Sequence, residues 1–459
     1  PAAMLTPNPF GIILDPQHRQ FRFDDLQAIP SRGRSPEPYW RGRGVGGSSS
    51  MNGQIAIRGL LDDFDDWAAQ GSTGWSGADV LPYFCKLETD LDFGDLPYHG
   101  SDGPIPVYRA PLDRWGPVDT ALRTSALELG YPWSDDVNAP DSTGVTTYPI
   151  NSLNGIRVST NDGYLDPVRD RPNLTIIGNA HVDQVLFEGR TATGVRANVE
   201  GRVQQLDADQ IILSAGAIHT PTILMRSGIG KRMELERFGV PILADLPVGD
   251  NLVEHPAIGL GVGIKPEYRV PDLSFRHTNC CVRYSSGFAG TGRNDMMFAS
   301  TNVSGMDDAG RETGKLIVAA FQTFSRGSLR LASLDPAVHP TIDLNMLSDA
   351  RDMERMRDGV QRLFAISQQS AVQEICDSIF SSVSGASISA LPKGDALDTW
   401  LLAEVGNAQH PIGTCRMGGP TDSRTVVDPS CAVLGVERLR VIDASIMPEN
   451  PRANTHFTT

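Results

Sequence analysis

The sequence predicts an α/β fold in which a doubly wound parallel sheet is accompanied by a second domain built on an antiparallel sheet and helices. One observation is the segment 210–226, where a buried strand runs into a turn of small residues and then into a helix, as in a doubly wound crossover. Another is the region 259–345, whose alternation indicates antiparallel strands joined by loops. The length of 459 residues suits two or three domains in one body.

The N-terminal part contains a glycine-rich loop that predicts a binding site. Residues 1–40 are rich in proline and predict an irregular segment. Glycines and hydroxyls then cluster in Arg41-Gly-Arg-Gly-Val-Gly-Gly-Ser-Ser-Ser-Met-Asn52, and a helix is predicted over 52–57. Because such a loop lets backbone N–H groups approach an anion or a flat ring, we interpret it as a binding loop and not as a flexible connector.

A change to β alternation at Asn173 predicts a meander that returns to a buried strand. The predicted strands are 174–177, 182–187, 194–199 and 210–213. After the small-residue turn 214–221, a helix is predicted over 222–226.

The C-terminal half carries one long helix and one dense motif. A helix is predicted over 349–367, and its apolar face consists of Met353, Met356, Val360, Leu363 and Phe364. The motif 410–419, His-Pro-Ile-Gly-Thr-Cys-Arg-Met-Gly-Gly, precedes a strand predicted over 439–443 and a polar loop.

Composition excludes several classes of function. Lys+Arg 40 against Asp+Glu 55 gives a net charge of −15, which disfavours nucleic acid as a partner. No apolar stretch reaches the roughly 18–20 residues needed to cross a bilayer, so no membrane insertion is expected. The six cysteines form no C-x-x-C pair, so the sequence predicts neither a zinc site nor a disulfide framework, and a reducing cytoplasm is the predicted compartment.

His410 and Asn454 are the candidate catalytic side chains. An imidazole can accept a proton near neutral pH, and an amide can hydrogen-bond an oxyanion. Taken singly, each also fits a structural role in a loop or a turn. The other histidines have no ligand spacing, no metal site is predicted, and we expect structural or exposed positions for His18, His99, His181, His219, His255, His277 and His339.

Four motifs, taken in this order and spacing, resemble those of the glucose–methanol–choline (GMC) family of FAD-dependent oxidoreductases. They lie at 42–52, 215–230, 410–418 and 441–455, and the similarity spans 39–459. Within the family the chain resembles the bacterial choline-dehydrogenase-like and hydroxymethylfurfural-oxidase-like members. The resemblance implies an FAD-binding doubly wound (Rossmann-like) domain, a small-molecule alcohol as substrate, and oxygen or another electron acceptor.

The resemblance also implies residue roles. His410 is the implied base and Asn454 its partner, while the flavin accepts the hydride at N5. The implied cofactor-binding residues are Gly46, Gly47, Ser48, Ser49, Asn52, Val182, Asp443, Ala444, Thr455 and His456.

These cofactor-binding residues divide by the part of FAD that each is expected to meet. Residues 46–49 and 443–444 are expected at the pyrophosphate, and Asn52 beside the flavin ring. Val182 is expected to meet the adenine side through its backbone. Residues 455–456 belong to the turn over the pyrimidine part of the isoalloxazine, and no direct catalytic role is expected for His456.

The implied domain division is discontinuous. The FAD-binding domain is predicted from 1–69, 136–258 and 412–459, and the substrate domain from 70–135 and 259–411.

Two features of the family pattern are missing from the sequence. No strand followed by G-x-G-x-x-G precedes Tyr39, and no helix follows Thr459. We therefore expect a fragment with both ends removed, which alone binds FAD poorly. Two alternative functions remain at this stage: an FAD-containing enzyme like the hydroxynitrile lyases, or a degenerate scaffold without flavin.

Overall fold

The computed structural model describes residues 7–459 and contains both helices and strands throughout that range. The α-helices are α1 (Phe10–Ile13), α2 (Leu61–Ala69), α3 (Gly77–Leu87), α4 (Pro117–Glu128), α5 (Gly216–Arg226), α6 (Arg232–Arg237), α7 (Asp308–Glu312), α8 (Ala350–Ser367), α9 (Ser370–Ile375) and α10 (Asp395–Glu404). The strands of the first half are β1 (Gln27–Ala28), β2 (Glu37–Pro38), β3 (Glu88–Asp90), β4 (Ile105–Arg109), β5 (Gly144–Thr147), β6 (Pro149–Ile150), β7 (Ser152–Leu153), β8 (Ile156–Arg157), β9 (Ala180–Glu188), β10 (Thr191–Val199), β11 (Arg202–Asp207) and β12 (Ile211–Leu213). Those of the second half are β13 (Ile229–Gly230), β14 (Ala244–Asp245), β15 (Pro256–Ile264), β16 (Cys280–Tyr284), β17 (Met296–Thr301), β18 (Thr313–Ala320), β19 (Ser328–Arg330), β20 (Thr341–Asp343), β21 (Cys376–Ser381), β22 (Gly406–Asn407) and β23 (Leu439–Val441).

The largest sheet is antiparallel and has seven strands in the order β21-β15-β18-β17-β16-β5, with β22 paired to β15. Its strands are apolar and mostly buried because α4 and α8 pack against it. Gly261 in β15 leaves room for the paired strand β21, since a Cβ there would lie 2.2 Å from the Phe380 ring. The antiparallel strands predicted over 259–345 are thereby confirmed.

The helix predicted over 349–367 is present as α8, and its apolar face packs on the sheet. The Asp349 side chain caps it by accepting the backbone N–H of Arg351 at 2.9 Å. Met356, Val360 and Leu363 are fully buried, as the periodicity of the sequence predicts.

A smaller parallel pairing joins two segments that are far apart in the chain. Strand β12 pairs in parallel with β23 and leads into α5, as the order of strand and helix within 210–226 predicts. The helix begins earlier than predicted, at Gly216, and contains most of the turn predicted at 214–221. Strands β9, β10 and β11 form the antiparallel meander before them.

The sequence prediction is wrong at two segments. Residues 174–177 form no strand; Ile176 and Ile177 are 37% and 46% exposed, so their apolar side chains find no sheet to pack on. Residues 52–57 form no helix, because Gln54 has a φ of 62°, and a short 3₁₀ helix, Gly47–Ser50, comes earlier instead.

The segment predicted to be irregular contains some regular structure. Residues 1–6 lie outside the described part, and 7–40 contain α1, a 3₁₀ helix at Pro16–Phe21 and two short strands. The domain division stays a prediction. Strand β5 lies in the predicted FAD-binding part, yet it pairs with β16 of the predicted substrate part.

No helix within residues 7–459 is both long and apolar enough to cross a bilayer.

Candidate active site

His410 lies after the short strand β22, where its backbone is held by a buried carboxylate. Its N–H donates to both carboxylate oxygens of Glu254 at 2.8 Å. The Tyr39 hydroxyl donates to Glu254 Oε2 at 2.5 Å, and the N–H of His255 donates to Oε1 at 2.9 Å. Arg41 donates to the carbonyl oxygen of Gln409 at 2.8 Å. These bonds fix the loop that carries the imidazole.

The His410 ring has one polar neighbour at each nitrogen. Its Nδ1 lies 2.9 Å from Nδ1 of His255, and its Nε2 lies 3.1 Å from the amide nitrogen of Asn454. Burial lowers the pKa of His410 well below its usual value, and the charge of Arg41 and the proximity of the His255 imidazole act in the same direction. His410 is therefore a neutral imidazole at pH 7, the form that can accept a proton.

Asn454 is positioned by the buried segment that precedes it. Arg452 Nε donates to Asp63 Oδ1 at 2.6 Å, and the Arg452 N–H donates to Asp63 Oδ2 at 2.8 Å. Two residues earlier, Asn450 donates to the Phe321 carbonyl oxygen at 3.0 Å. The sequence pair His410 and Asn454 is thus brought together by contacts to Asp63 and Phe321, neither of which the sequence analysis had singled out.

Loss of the Arg452 charge is expected to destabilise the fold strongly. In Arg452→Met the Asp63 carboxylate stays buried without its partner, so the free energy of unfolding should fall by about 3–5 kcal/mol. The matched control is Arg293→Met, because Arg293 pairs with the neighbouring Asp62 at 2.7 Å but both side chains are about two-fifths exposed, at 38% and 44%. That surface pair should contribute about 0–1 kcal/mol. Denaturant unfolding of both variants decides the matter; equal losses would contradict the prediction.

The glycine-rich loop forms an open turn. Gly46 and Gly47 have φ values of 83° and 52°, and a Cβ at Gly47 would meet nothing within 4 Å. Ser49 Oγ donates to the Gly46 carbonyl oxygen at 2.6 Å and lies 2.9 Å from the Thr160 hydroxyl. The positive φ values are why glycine is needed at both positions, and the open space leaves room for a ligand.

The other end of this loop is held by a buried arginine that the sequence analysis had not singled out. Arg157 donates to the Ser49 carbonyl oxygen at 3.1 Å and to Asn52 Oδ1 at 2.9 Å. Burial, together with the charge of Arg276, lowers the pKa of Arg157 to about 9. Ser48 caps the loop from within by accepting the Gly42 N–H at 3.1 Å. Ser48, Ser49 and Asn52 therefore belong to one hydrogen-bonded unit.

Asp443 lies two residues after strand β23 and connects this segment to the start of α5. Its Oδ2 accepts the Gly216 N–H at 2.8 Å and the Thr220 hydroxyl at 2.6 Å, and its Oδ1 accepts the Ser445 N–H at 2.8 Å. Ala444 follows at the start of the 3₁₀ turn Ala444–Ile446. Asp443 thus caps the turn Ala444–Ile446 and links it to the start of α5.

Val182 lies elsewhere, in strand β9 opposite Ala197 of β10, and packs half-buried against the main core. Its predicted backbone contact to the adenine side of FAD stays a prediction.

The turn after Asn454 presents unpaired polar atoms. Thr455 begins the 3₁₀ turn Thr455–Phe457, and burial lowers the pKa of His456 to about 4. Within the described chain, Asn454 Oδ1 and His456 Nε2 are buried without a hydrogen-bond partner. Buried polar atoms of this kind are normally satisfied, so these positions suit a polar ligand. Together with the open turn at Gly47 they fit the polar edge and diphosphate of FAD.

His255 is a further residue of this site, which the sequence analysis expected to be structural or exposed. It is fully buried, and its Nδ1 lies 2.9 Å from Nδ1 of His410. Its signal in the sequence is its place in Glu254-His255-Pro256, where a carboxylate and an imidazole precede a long apolar strand.

Two groups of side chains in the described part of the chain have the composition of a metal site. In the first, the nearest ligand atoms of Glu254, His255 and His410 lie within 4.8 Å of one another. The Glu254 oxygens already accept N–H and O–H donors, and the 2.9 Å contact between the two Nδ1 atoms is a hydrogen-bond distance. We therefore interpret this group as a hydrogen-bond network.

The second group surrounds His99 and is balanced by charge. His99 Nδ1 lies 2.6 Å from Glu88 Oε1 and its Nε2 lies 2.8 Å from Asp136 Oδ2. Arg109 pairs with Asp90 at 2.9 Å and with Asp136 at 2.6 Å. Hydrogen bonds to Asp136 and Glu88 raise the pKa of His99 against the effect of burial. Protonated His99, Arg109 and the buried Arg58, which lies 3.6 Å from Glu88, together balance the three buried carboxylates, so we interpret the cluster as structural.

Comparison with known proteins identifies the family of the chain. The chain matches the GMC oxidoreductase family over residues 33–257 and 323–459. It is 37% identical over 447 residues to a 5-(hydroxymethyl)furfural oxidase of Methylovorus sp. (strain MP688), covering 94% of this chain and 82% of the relative. It is 32% identical over 519 residues to an oxygen-dependent choline dehydrogenase of Pseudomonas putida, covering 98% and 87%.

A solved structure shares the same fold. The crystal structure of pyridoxine 4-oxidase from Mesorbium loti superposes with a TM-score of 0.89 at 27% sequence identity, over 100% of this chain and 89% of the other. The resemblance, the FAD-binding fold and the oxidoreductase class expected from the sequence are thereby confirmed, and FAD is the cofactor of such enzymes. The chain belongs to the GMC oxidoreductase family.

Proposed function

We propose that this enzyme oxidises a primary or secondary alcohol to a carbonyl compound, with His410 as the base and Asn454 as its partner. The main support for the proposal is the contact of 3.1 Å between the neutral, half-buried His410 imidazole and the Asn454 amide. Asn454 Oδ1 and His456 Nε2 are buried nearby in the sequence without a hydrogen-bond partner in the described chain. When bound, FAD supplies the acceptor for the hydride that leaves the alcohol carbon.

His410 and Asn454 have complementary tasks. The hydroxyl proton of the alcohol moves to His410 Nε2, the nitrogen that faces Asn454. The Asn454 amide N–H then donates to the alcohol oxygen as negative charge develops there. Because the Asn454 amide nitrogen lies 3.1 Å from His410 Nε2, one alcohol oxygen can contact both groups.

The residues that would hold the cofactor lie in the glycine-rich loop, in the turn that follows Asp443 and in the turn Thr455–Phe457. We propose that Gly46, Gly47, Ser48 and Ser49 meet the diphosphate, which the open turn at Gly47 supports. Asp443 and Ala444 would approach the same diphosphate, while Asn52, Thr455 and His456 would lie along the flavin ring.

Anaerobic mixing with alcohols tests the proposed reaction. The oxidised flavin absorbance should disappear when a suitable primary or secondary alcohol is added without oxygen. A hydroxynitrile lyase reaction would leave the flavin oxidised, so unbleached flavin together with release of an aldehyde from a hydroxynitrile would contradict the proposal.

The rate of flavin reduction is expected to stay high in mildly acid solution. Burial lowers the pKa of His410, so the neutral base form persists below the usual imidazole value of about 6.5. The groups around the ring are His255, Arg41 and Glu254, and of these His255 and Arg41 lower its pKa. The rate constant for flavin reduction should therefore rise with pH through a value below about 6.5 and stay flat above it. Stopped-flow reduction between pH 5 and pH 8 measures this, and a rise centred above pH 7 would contradict it.

The electron acceptor and the compartment are the finer parts of the proposal. Oxygen is the first acceptor to test, since two relatives carry the names of an oxidase and an oxygen-dependent dehydrogenase. An alcohol panel assayed with oxygen and with an artificial dye separates the two kinds of acceptor. A cytoplasmic location stays a prediction, which the six free thiols support.

A further inference from the structure

His255 occupies a place in which only one of its nitrogens can carry the proton. Its Nε2 lies 3.1 Å from the Phe321 carbonyl oxygen and 3.2 Å from the Pro451 carbonyl oxygen. Carbonyl oxygens only accept hydrogen bonds, so Nε2 must be the donor. The opposite tautomer would bury a lone pair against two oxygens and leave both without this donor. The ring is also fixed by stacking on Phe321, with centroids 4.6 Å apart and planes 26° apart.

The tautomer of His255 determines that of His410. Burial lowers the pKa of His255 to about 4, so at neutral pH it carries a single ring proton, the one on Nε2. Its Nδ1 is then a bare acceptor. The 2.9 Å contact between the two Nδ1 atoms needs one hydrogen, which must come from Nδ1 of His410. Neutral His410 therefore has its lone pair on Nε2, and the Asn454 amide at 3.1 Å faces that lone pair as a donor.

We infer that His255 is a positioning residue that locks His410 in the tautomer whose Nε2 is free to take the substrate proton. The inference rests on the proposed function, in which His410 is the base. In the step itself the alcohol O–H bond breaks and an N–H bond forms at His410 Nε2, while the existing Nδ1–H bond to His255 is kept. The Phe321 and Pro451 carbonyl oxygens hold the proton of His255 on Nε2, and His255 in turn holds the proton of His410 on Nδ1. The backbone thus determines which nitrogen of His410 is free to react.

The charged and ionisable groups near this pair do not disturb the hydrogen bonds of the two imidazole rings. The Glu254 oxygens accept the backbone N–H groups of His255 and His410 and the Tyr39 hydroxyl. Arg41 donates to the backbone and side-chain oxygens of Gln409, both at 2.8 Å. Glu254 and Arg41 therefore hold the two backbones in place, and the ring nitrogens are left to each other, to the carbonyl oxygens and to Asn454.

Nitrogen NMR tests the tautomers without reference to activity. In FAD-loaded enzyme labelled with ¹⁵N-histidine, two-bond proton–nitrogen correlations should show His410 protonated at Nδ1 and His255 protonated at Nε2. His255→Asn and His410→Ala assign the signals by their loss. A His410 ring protonated at Nε2 would overturn the inference, even if alcohol oxidation were fully confirmed.

A matched pair of variants tests the consequence for the reaction. His255→Leu removes the acceptor for His410 Nδ1–H, whereas His255→Asn keeps an oxygen acceptor near the position of Nδ1. We expect flavin reduction to slow by at least about 10-fold in the leucine variant, at unchanged KM, and to recover to within about 3-fold in the asparagine variant. Equal rates in all three proteins, or equally slow variants that are both folded and loaded with FAD, would overturn the inference. Failure of the base assignment would appear separately, as full activity of His410→Ala with the NMR result intact.

Discussion

Replacing His410 by alanine should slow reduction of the bound flavin by an alcohol about 100-fold or more, the usual loss when a positioned general base is removed. The His410 ring is held on both sides, 2.9 Å from His255 and 3.1 Å from Asn454. Of these three side chains, His410 is the one proposed to accept the substrate proton, and the substitution removes it. FAD content should stay the same, because the backbone N–H of residue 410 still donates to Glu254. Anaerobic stopped-flow measurement of the reduction rate at saturating alcohol is the direct assay.

A control substitution separates this effect from general damage. His18→Ala removes an imidazole that bonds the Gly11 carbonyl oxygen at 3.0 Å on another part of the surface, and it should leave the rate unchanged. If His410→Ala reduces its flavin as fast as the unaltered enzyme does, the assignment of the base is wrong.

The second large effect is expected at Asn454. If its amide stabilises the negative charge on the alcohol oxygen, Asn454→Ala should raise the barrier to flavin reduction by about 2.7–4 kcal/mol, which is about 10²–10³-fold in rate. Asn454 is anchored through Arg452 and Asp63, so the alanine variant is expected to keep the fold of this segment. The reduction rate and the thermal midpoint should be measured together, since the first should change and the second should not.

The neighbouring histidine serves as the comparison for Asn454. His456 is buried with an unpaired Nε2, but no contact to His410 supports a role in proton transfer. His456→Ala should therefore slow flavin reduction less than Asn454→Ala does. If the His456 variant proves as slow as His410→Ala, His456 and not Asn454 is the partner of the base.

The sequence predicted those parts of the site that are encoded by short motifs. The glycine-rich loop needs positive φ at Gly46 and Gly47, and glycine at both positions is visible in the sequence. His410 and Asn454 could be paired only through the family resemblance, because 44 residues separate them and no local rule brings them together. The resemblance to the GMC family also supplied FAD, which no single residue pattern would have indicated.

What the sequence did not predict depends on tertiary contacts. His255 looks like any isolated histidine until Phe321 and Pro451 place their carbonyl oxygens at its Nε2. Residues 174–177 have the composition of a strand but no neighbouring strand to pair with. The segment 52–57 is predicted to be a helix, but Gln54 has a φ of 62°, which a right-handed helix does not allow.

The pairing of β12 with β23 has a consequence for the order of folding. Residues 211–213 lie beside 439–441, and Asp63 bonds Arg452 across 389 positions of the chain. Closing such long loops is costly in chain entropy, so contacts of this kind form slowly in comparison with hairpins such as β9–β10. During refolding the hairpins and helices should therefore regain their signal first. The capacity to oxidise alcohol should return only in the slowest phase, when the segment that carries Asn454 docks beside His410.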